Sequence, residues 1–210
     1  MRFGNWTLDP SKYLEKQDAM TLLACAKQAA SCDATPAESK IAVRDYFVVS
    51  LGLNTGLRVM EMAALNCGDL FLAGDVPSVL VRRGKGGKRR VVFFGADFRK
   101  HCLEFLAWKE SRGESVAPDS PVFWSRASRG HLSRHALQDS FKRSTRRAGL
   151  SASYAIHSLR HTYACLLLKA SNWNLRLIQK QLGHASILTT QVYADVMIPD
   201  IGKAVNRLYK

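Results

Sequence analysis

The chain has 210 residues, 47% of them hydrophobic, enough to bury a substantial core in one large domain or two small ones. Its 31 Lys and Arg against 17 Asp and Glu leave a net charge of +14, which favours a polyanion as partner, nucleic acid first, over an acid-lined ligand site. No stretch approaches ~18 consecutive apolar residues or the pattern of a secretory leader, and the five cysteines lack CxxC spacing, so a soluble, cytoplasmic protein with reduced thiols is expected, not a membrane protein, a disulfide framework or a zinc ribbon.

Along the chain, apolar positions Met20, Leu23, Ala24 and Ala30 recur at helical spacing and predict a helix over about Lys16 to Cys32. A polar break through Pro36 follows. A second helix spans Ile41 to Leu53, Asn54, Thr55 and Gly56 end it, and a short helix starts near Arg58. The pattern then changes: Leu70 to Leu72, Ser78 to Arg83 and Arg89 to Phe94 are short, rich in Val and Phe, and separated by glycine turns, which predicts three antiparallel strands. Helical spacing resumes in Phe98 to Glu110, Ser133 to Ala148, Ser158 to Lys169, Leu175 to Leu182 and Ser186 to Ala194. After Pro199, Ile201, Val205 and Leu208 form one apolar stripe on a short tail helix, which docks either on its own domain or on a neighbouring protomer. The expected fold is mainly α with a small three-stranded antiparallel β-sheet, a single domain over residues 1–210.

The basic excess is concentrated in two stretches. From Arg82 to Lys100 eight basic residues face only Asp97, and from Arg126 to Arg160 another eight face only Asp139. Arg82, Arg83, Lys88, Arg89 and Arg90 in the first, with Arg134, Lys142, Arg143 and Arg146 in the second, are candidates for a phosphate track. The plainer reading of such runs is a solvated surface.

Chemistry on a phosphodiester needs a nucleophile, cations for the charge growing on the phosphate oxygens, and a proton for the leaving oxygen. The acids are scattered, so a clustered-carboxylate metal nuclease is not indicated, and a set of side chains is sought instead. His157, Arg160 and His161 share one helical face, with Leu159, Tyr163 and Leu166 opposite. A zinc pair is the rival: His157 and His161 are four apart, as are His131 and His135, but no HExxH glutamate and no third ligand accompany them. In the helix from Ser186, the apolar residues Ile187, Leu188, Val192 and Val196 share one side, and Tyr193 points roughly 140° from their centre, taking ~100° per residue. That places it off the core stripe, although a lone tyrosine is more often structural than reactive. Gly84-Lys85-Gly86-Gly87-Lys88 is too short for a P-loop, and Arg89 follows where Ser or Thr belongs.

Taken together, Thr55-Gly56-Leu57-Arg58-Val59-Met60-Glu61, Gly84-Lys85-Gly86-Gly87-Lys88-Arg89, His157-Ser158-Leu159-Arg160-His161-Thr162, and Leu182-Gly183-His184 with Tyr193 nine residues later closely resemble the catalytic domain of the tyrosine recombinase/integrase family, in the family's order and over about residues 13–196. The resemblance implies that Arg58 and Arg160 grip the scissile phosphate, a task suited to the planar, permanently charged guanidinium fork. It implies Lys85 as general acid for the departing 5′ oxygen, with Lys88 as its rival, His157 assisting proton movement at the nucleophile, and His184 bonded to the phosphate. Tyr193 would then attack phosphorus to give a 3′-phosphotyrosine, with Glu61 and His161 in support. No metal and no other cofactor is implied. The implied partners are double-stranded DNA and further copies of the chain on paired DNA sites, with accessory DNA-binding proteins in some systems.

Set beside the resemblance, the motifs begin too early for the family's usual N-terminal core-binding domain, which is therefore expected to be missing. Either an excised catalytic domain or a short member resembling the fimbrial phase-switch invertases is expected. Three functions stay open: site-specific recombination (integration, excision, inversion or resolution), DNA relaxation of the type IB topoisomerase kind, and DNA-binding regulation without chemistry.

Overall fold

The computed structural model of the protein describes residues 12–32, 35–184 and 186–196. The tail stripe of Ile201, Val205 and Leu208 lies outside these residues. Helix α1 (Lys16–Ser31) leads into α2 (Pro36–Thr55), which starts ahead of the expected Ile41. The reason is local. The Thr35 amide donates to Glu38 Oε2 at 3.2 Å and the Glu38 amide to Thr35 Oγ1 at 3.4 Å, so two amides that lack helical acceptors are paired, while Pro36 in the first position has none to pair.

Helix α2 is the centre of the molecule. Phe47, Val48, Val49 and Leu51 are all fully buried, as a helix apolar on every side must be. It packs against α1, α4 (Ala96–Ser111), α5 (Arg134–Arg147) and α6 (Ile156–Ala170). Phe47 stacks on Phe105 with ring centroids 3.8 Å apart. At its C-terminal end Gly56 adopts φ +60° and donates to Gly52 O, a left-handed cap; a Cβ here would also run into the Tyr163 ring. The chain then turns into α3 (Val59–Ala63).

The three predicted strands form one antiparallel sheet in the order β1 (Leu70–Phe71), β2 (Ser78–Val81), β3 (Arg90–Phe93). Val79 pairs with Val92 and Val81 with Arg90, so these four share the inward face, whereas Phe71, Val91 and Phe93 are exposed. A second ladder, β4 (Trp124–Ser125) with β5 (Gly130–His131), is absent from the sequence reading because two-residue strands carry no periodicity. Helices α7 (Leu175–Leu182) and α8 (Leu188–Val196) close over α6, joined by a small apolar cluster that includes Tyr163, Leu168, Ile178, Leu182 and Tyr193. Among the described residues no helix is long and apolar enough to cross a membrane. Cys67, Cys102 and Cys165 are buried free thiols, Cys25 is half-buried and Cys32 exposed.

Two residues expected on the DNA-facing stripe are used within the fold. Asp45, buried on α2, accepts from Ser140 Oγ at 2.5 Å and from both Nε and Nη2 of Arg143, at 2.9 and 2.7 Å. The acid leaves water only because this fork and hydroxyl replace its hydration. Lys142 donates to the carbonyls of Ala152 and Tyr154, at 2.5 and 2.7 Å, and so ties α5 to the loop that enters α6. Asp45→Ala should therefore lower unfolding stability by about 2–3 kcal/mol, measured by urea denaturation, since it strands charged donors from α5. A change within ~0.5 kcal/mol, the range of an ordinary surface substitution, would contradict this role.

Candidate active site

The left-handed turn at Gly56 delivers Arg58 as the residue that caps α3 in extended conformation. Three residues on, Glu61 accepts the Arg58 amide on Oε2 at 2.9 Å and Arg58 Nη1 on Oε1 at 3.0 Å. The carboxylate thus satisfies an unpaired helix amide and aims the guanidinium with the same two atoms. Arg90 from β3 completes the set, with Nη1 on Oε1 at 2.8 Å and Nη2 on Oε2 at 2.7 Å. Arg90 was expected on the DNA-facing stripe; it is instead a buried partner of Glu61, with its side chain 10% exposed.

Arg160 is held differently. As a residue of α6, an interior helix, it is 5% exposed, and no carboxylate pairs with it within salt-bridge distance among the described residues. Its Nη1 donates to Gly56 O at 2.6 Å, and its Nη2 to Leu182 O at 2.8 Å and to His184 Nε2 at 3.0 Å. Gly56 and Leu182 stand at the C-terminal ends of α2 and α7, where carbonyls lack helical donors and the helix dipole is negative. Burial, then Arg58, lowers the Arg160 pKa to about 10 while Glu61 supports the charge from beyond salt-bridge distance, so Arg160 stays charged at neutral pH. A guanidinium can only donate, so His184 Nε2 must accept and its Nδ1 carries the proton, donated to Thr190 Oγ1 at 3.0 Å. Burial, followed by Arg160 and Arg58, depresses His184 to about 3.

Tyr193 departs from the expectation. The side of α8 that carries Tyr193 and Thr190 faces the protein, 3% and 0% exposed, whereas Leu188 of the supposed core stripe is 64% exposed. Its ring packs in the small apolar cluster and its hydroxyl bonds His161 Nδ1 at 3.1 Å, the polar partner that allows a tyrosine to be buried. The His184 ring lies nearly parallel to it, with centroids 6.3 Å apart. Burial pushes the phenol up to about 12, while Arg160 and Arg58 pull it down. His161 is lowered to about 4 by burial, then by His157 and Arg160. His157 reaches solvent at the start of α6 while its ring is partly desolvated, which lowers its pKa, as do Arg160 and then Arg58.

A cleft of about 880 Å³ opens in front of Arg58, Arg90 and His184, lined also by Lys88 and Arg89 and by Arg176 and Lys180 of α7. The last two were missed in the sequence, although they stand four apart, on one helical face, just before Leu182-Gly183-His184. Lys85 sits in a single 3-10 turn at the tip of the β2–β3 hairpin. Arg83, Arg134 and Arg146 are exposed. Arg82 Nε donates to the buried Asp69 at 2.6 Å, so that part of its charge is committed to the sheet. His131 of the alternative zinc pair bonds Asn66 Oδ1 through Nε2 at 2.8 Å. Among the described residues no group of three or more His, Cys, Asp or Glu is gathered as a metal site.

Residues 12–198 match the Phage integrase family. Tyrosine recombinase XerC of Pseudomonas entomophila is 40% identical over 153 residues, 73% of this chain and 48% of the relative. Tyrosine recombinase XerD of Corynebacterium glutamicum is 34% identical over 166 residues, 78% of this chain and 50% of the relative. The chain spans about half the length of the curated relatives it matches. Among solved structures, that of XerA recombinase superimposes with a TM-score of 0.68 at 28% identity, covering 87% of this chain and 59% of that one. The post-cleavage complex of XerH site-specific recombinase bound to palindromic difH substrate gives 0.76 at 23% identity, covering 96% and 54%, a likeness of fold.

Glu61 makes the site sensitive to acid. Burial alone would raise its pKa, but hydrogen bonds and charge from Arg90 and the Arg58 amide hold it at about 2 against an ordinary 4.5. A carboxyl depressed on folding stabilises the native state above its unfolded pKa and loses that contribution as pH falls through its folded value. On the order of 3 kcal/mol should therefore disappear between pH ~4.5 and ~2. Glu61→Gln should remove this part of the pH dependence from denaturant unfolding curves; a variant with the wild-type slope across that window would contradict the assignment.

Proposed function

Because the chain belongs to the phage integrase family, we propose that it is a site-specific DNA recombinase that cuts and rejoins DNA through a 3′-phosphotyrosine on Tyr193. The observation that carries this reading is the pairing of a buried, acid-free arginine with the buried tyrosine: Arg160 reaches His184, His184 reaches Thr190 on α8, and Tyr193 on the same helix reaches His161. The phosphate holder and the nucleophile are thus linked by hydrogen bonds.

In the proposed reaction the scissile phosphate enters the cleft and its nonbridging oxygens take the N–H groups that Arg58 and Arg160 still offer; three of the five on Arg160 are engaged by the protein. The Tyr193 oxygen attacks phosphorus, a new phosphorus–oxygen bond forms, and the bond to O5′ breaks. The phenolic proton passes to a neighbouring histidine, His157 or His161, and Lys85 gives a proton to O5′. Rejoining reverses these steps, so the bond energy is conserved and no nucleotide is consumed.

With its phenol at about 12 and bonded to His161, Tyr193 is at rest. Reaction requires α8 to turn the hydroxyl from the apolar cluster toward the phosphate, where the arginines lower its pKa. His184 is engaged on both ring nitrogens and becomes a phosphate donor when its Nδ1–H leaves Thr190 or when Nε2, freed from Arg160, takes up a proton. Entering DNA would release both histidine contacts as it takes over their arginine and proton partners. Assembly of several copies on paired sites belongs to the same proposal, as do Arg83, Lys88, Arg89, Arg134 and Arg146 as DNA-backbone contacts.

Incubation with nicked duplexes of mixed sequence should give a detergent-resistant protein–DNA adduct that Tyr193→Phe abolishes, while the variant still melts cooperatively with a loss of about 1 kcal/mol for the His161 bond. An adduct that survives the substitution would overturn the assignment of the nucleophile. Exchange of strands between two duplexes, as opposed to relaxation of a single supercoiled circle, identifies the recombinase.

A further inference from the structure

We propose that Arg90 is a positioning residue for the cleavage step, a strut that fixes the Lys85 hairpin against the Arg58–Glu61 pair and the Gly183–His184 turn. The inference rests on the recombinase reading, in which Lys85 delivers the proton to the leaving oxygen.

Three contacts of one side chain carry it. The first is the fork on Glu61: Oε1 receives both Arg90 Nη1, at 2.8 Å, and Arg58 Nη1, at 3.0 Å, so one oxygen sets the spacing of two guanidinium groups. The second is the end of α7, where Arg90 Nε donates to Gln181 O at 3.2 Å. A Cβ on the neighbouring Gly183 would lie 2.5 Å from Arg90 Cδ, so the turn before His184 rests directly on the arginine stem. The third is the hairpin. A Cβ on Gly84 would lie 3.2 Å from Arg90 Nη1 and 3.7 Å from Glu61 Oε1, which places the residue before Lys85 on the guanidinium plane. Two glycines that flank family motif residues therefore both lie against the same arginine, Gly84 also against Lys88 O at 3.0 Å and Gly183 also in a left-handed cap.

The hairpin needs such a strut. Strand pairing ends at Val81 with Arg90. Beyond that point the tip is closed by the Gly84 amide on Lys88 O at 2.8 Å and the Gly87 amide on Gly84 O at 3.0 Å, with Gly86 and Gly87 both at positive φ. A tip this open is aimed by its base. A general acid displaced by ~1 Å loses on the order of 10²-fold in rate, so a residue that never touches DNA can govern proton delivery. Lysine in place of Arg90 keeps the charge but loses the two-point fork.

The test separates proton delivery from folding. The sequence cleaved by the wild-type protein is recovered from its adducts and resynthesised with either oxygen or sulfur bridging phosphorus to the 5′ carbon. A thiolate leaves without a proton and an alkoxide does not, so only the oxygen substrate depends on Lys85. Arg90→Lys should cleave the oxygen substrate about 10²-fold more slowly than wild type and the sulfur substrate within about threefold of it. Equal slowing on both substrates, or none on either, would overturn the proposal while leaving the recombinase reading intact. If Arg90→Lys fails to melt cooperatively, Gly84→Ala takes its place: its φ of −81° admits a side chain, but the Cβ would press on Arg90 Nη1 at 3.2 Å and on Lys88 O at 3.0 Å, so the hairpin base must shift off the strut and the same selectivity for sulfur is expected. No adduct from the wild-type protein with any DNA would overturn the recombinase reading and the positioning role together.

Discussion

The structure depends on how guanidinium groups are kept charged in a water-poor site without being cancelled by acids. Arg58 and Arg90 line the cleft and share the Glu61 carboxylate, and Arg160 lies behind His184, which also lines it. Arg160 is stabilised by the C-terminal carbonyls of α2 and α7, which offer partial negative charge without a full countercharge. Moving an ion out of water is affordable only when hydrogen bonds replace its hydration. Carbonyls do this and leave the site net positive, which a carboxylate would not. Much of the local architecture follows: the left-handed glycines at Gly56 and Gly183 terminate the two helices so that their last carbonyls point at one arginine.

The same helix ends hold Tyr193, the proposed nucleophile. His184 follows Gly183, accepts from Arg160 and is thereby left with its proton on Nδ1 for Thr190 of α8. One turn further along, Tyr193 bonds His161, which follows Arg160 in α6. Each histidine thus joins the arginine region to α8, and the position of the nucleophile depends on what Arg160 is holding. Under the proposed function this dependence keeps the phenol, at about 12 in an apolar cluster, inert until a duplex is in place.

Much of this was legible in the sequence, and the failures have physical causes. Apolar spacing located α1, α4, α5, α6 and α7 to within a few residues, and Val- and Phe-rich runs located all three strands. The start of α2 was misplaced because the capping pair Thr35 and Glu38 was not weighed against a proline, which is tolerated in the first turn. Tyr193 was placed off the core because α8 was read as a helix with one wet side; packed against α6 and α7, it buries a polar side through hydrogen bonds. Charge density did not show which basic residues the fold itself uses. Arg90, Lys142 and Arg143 lie in the basic runs, yet they serve Glu61, backbone carbonyls and Asp45. For Arg90 a signal existed: strand alternation groups it with Val92 on the inward face, opposite Val91 and Phe93. The Arg143 fork on Asp45 joins residues 98 apart and leaves no local trace.

The central claim is that this cationic pocket exists to hold negative charge on a phosphate. It is tested most directly by removing that charge from the DNA. The cleaved phosphate is replaced with a neutral methylphosphonate, and cleavage by wild type and Arg58→Ala is compared on both substrates. The account predicts that Arg58→Ala slows cleavage of the phosphate by about 10³-fold and that of the methylphosphonate by less than about tenfold. An equal loss on the charged and the neutral substrate would show that Arg58 serves some purpose other than charge, and would contradict the account.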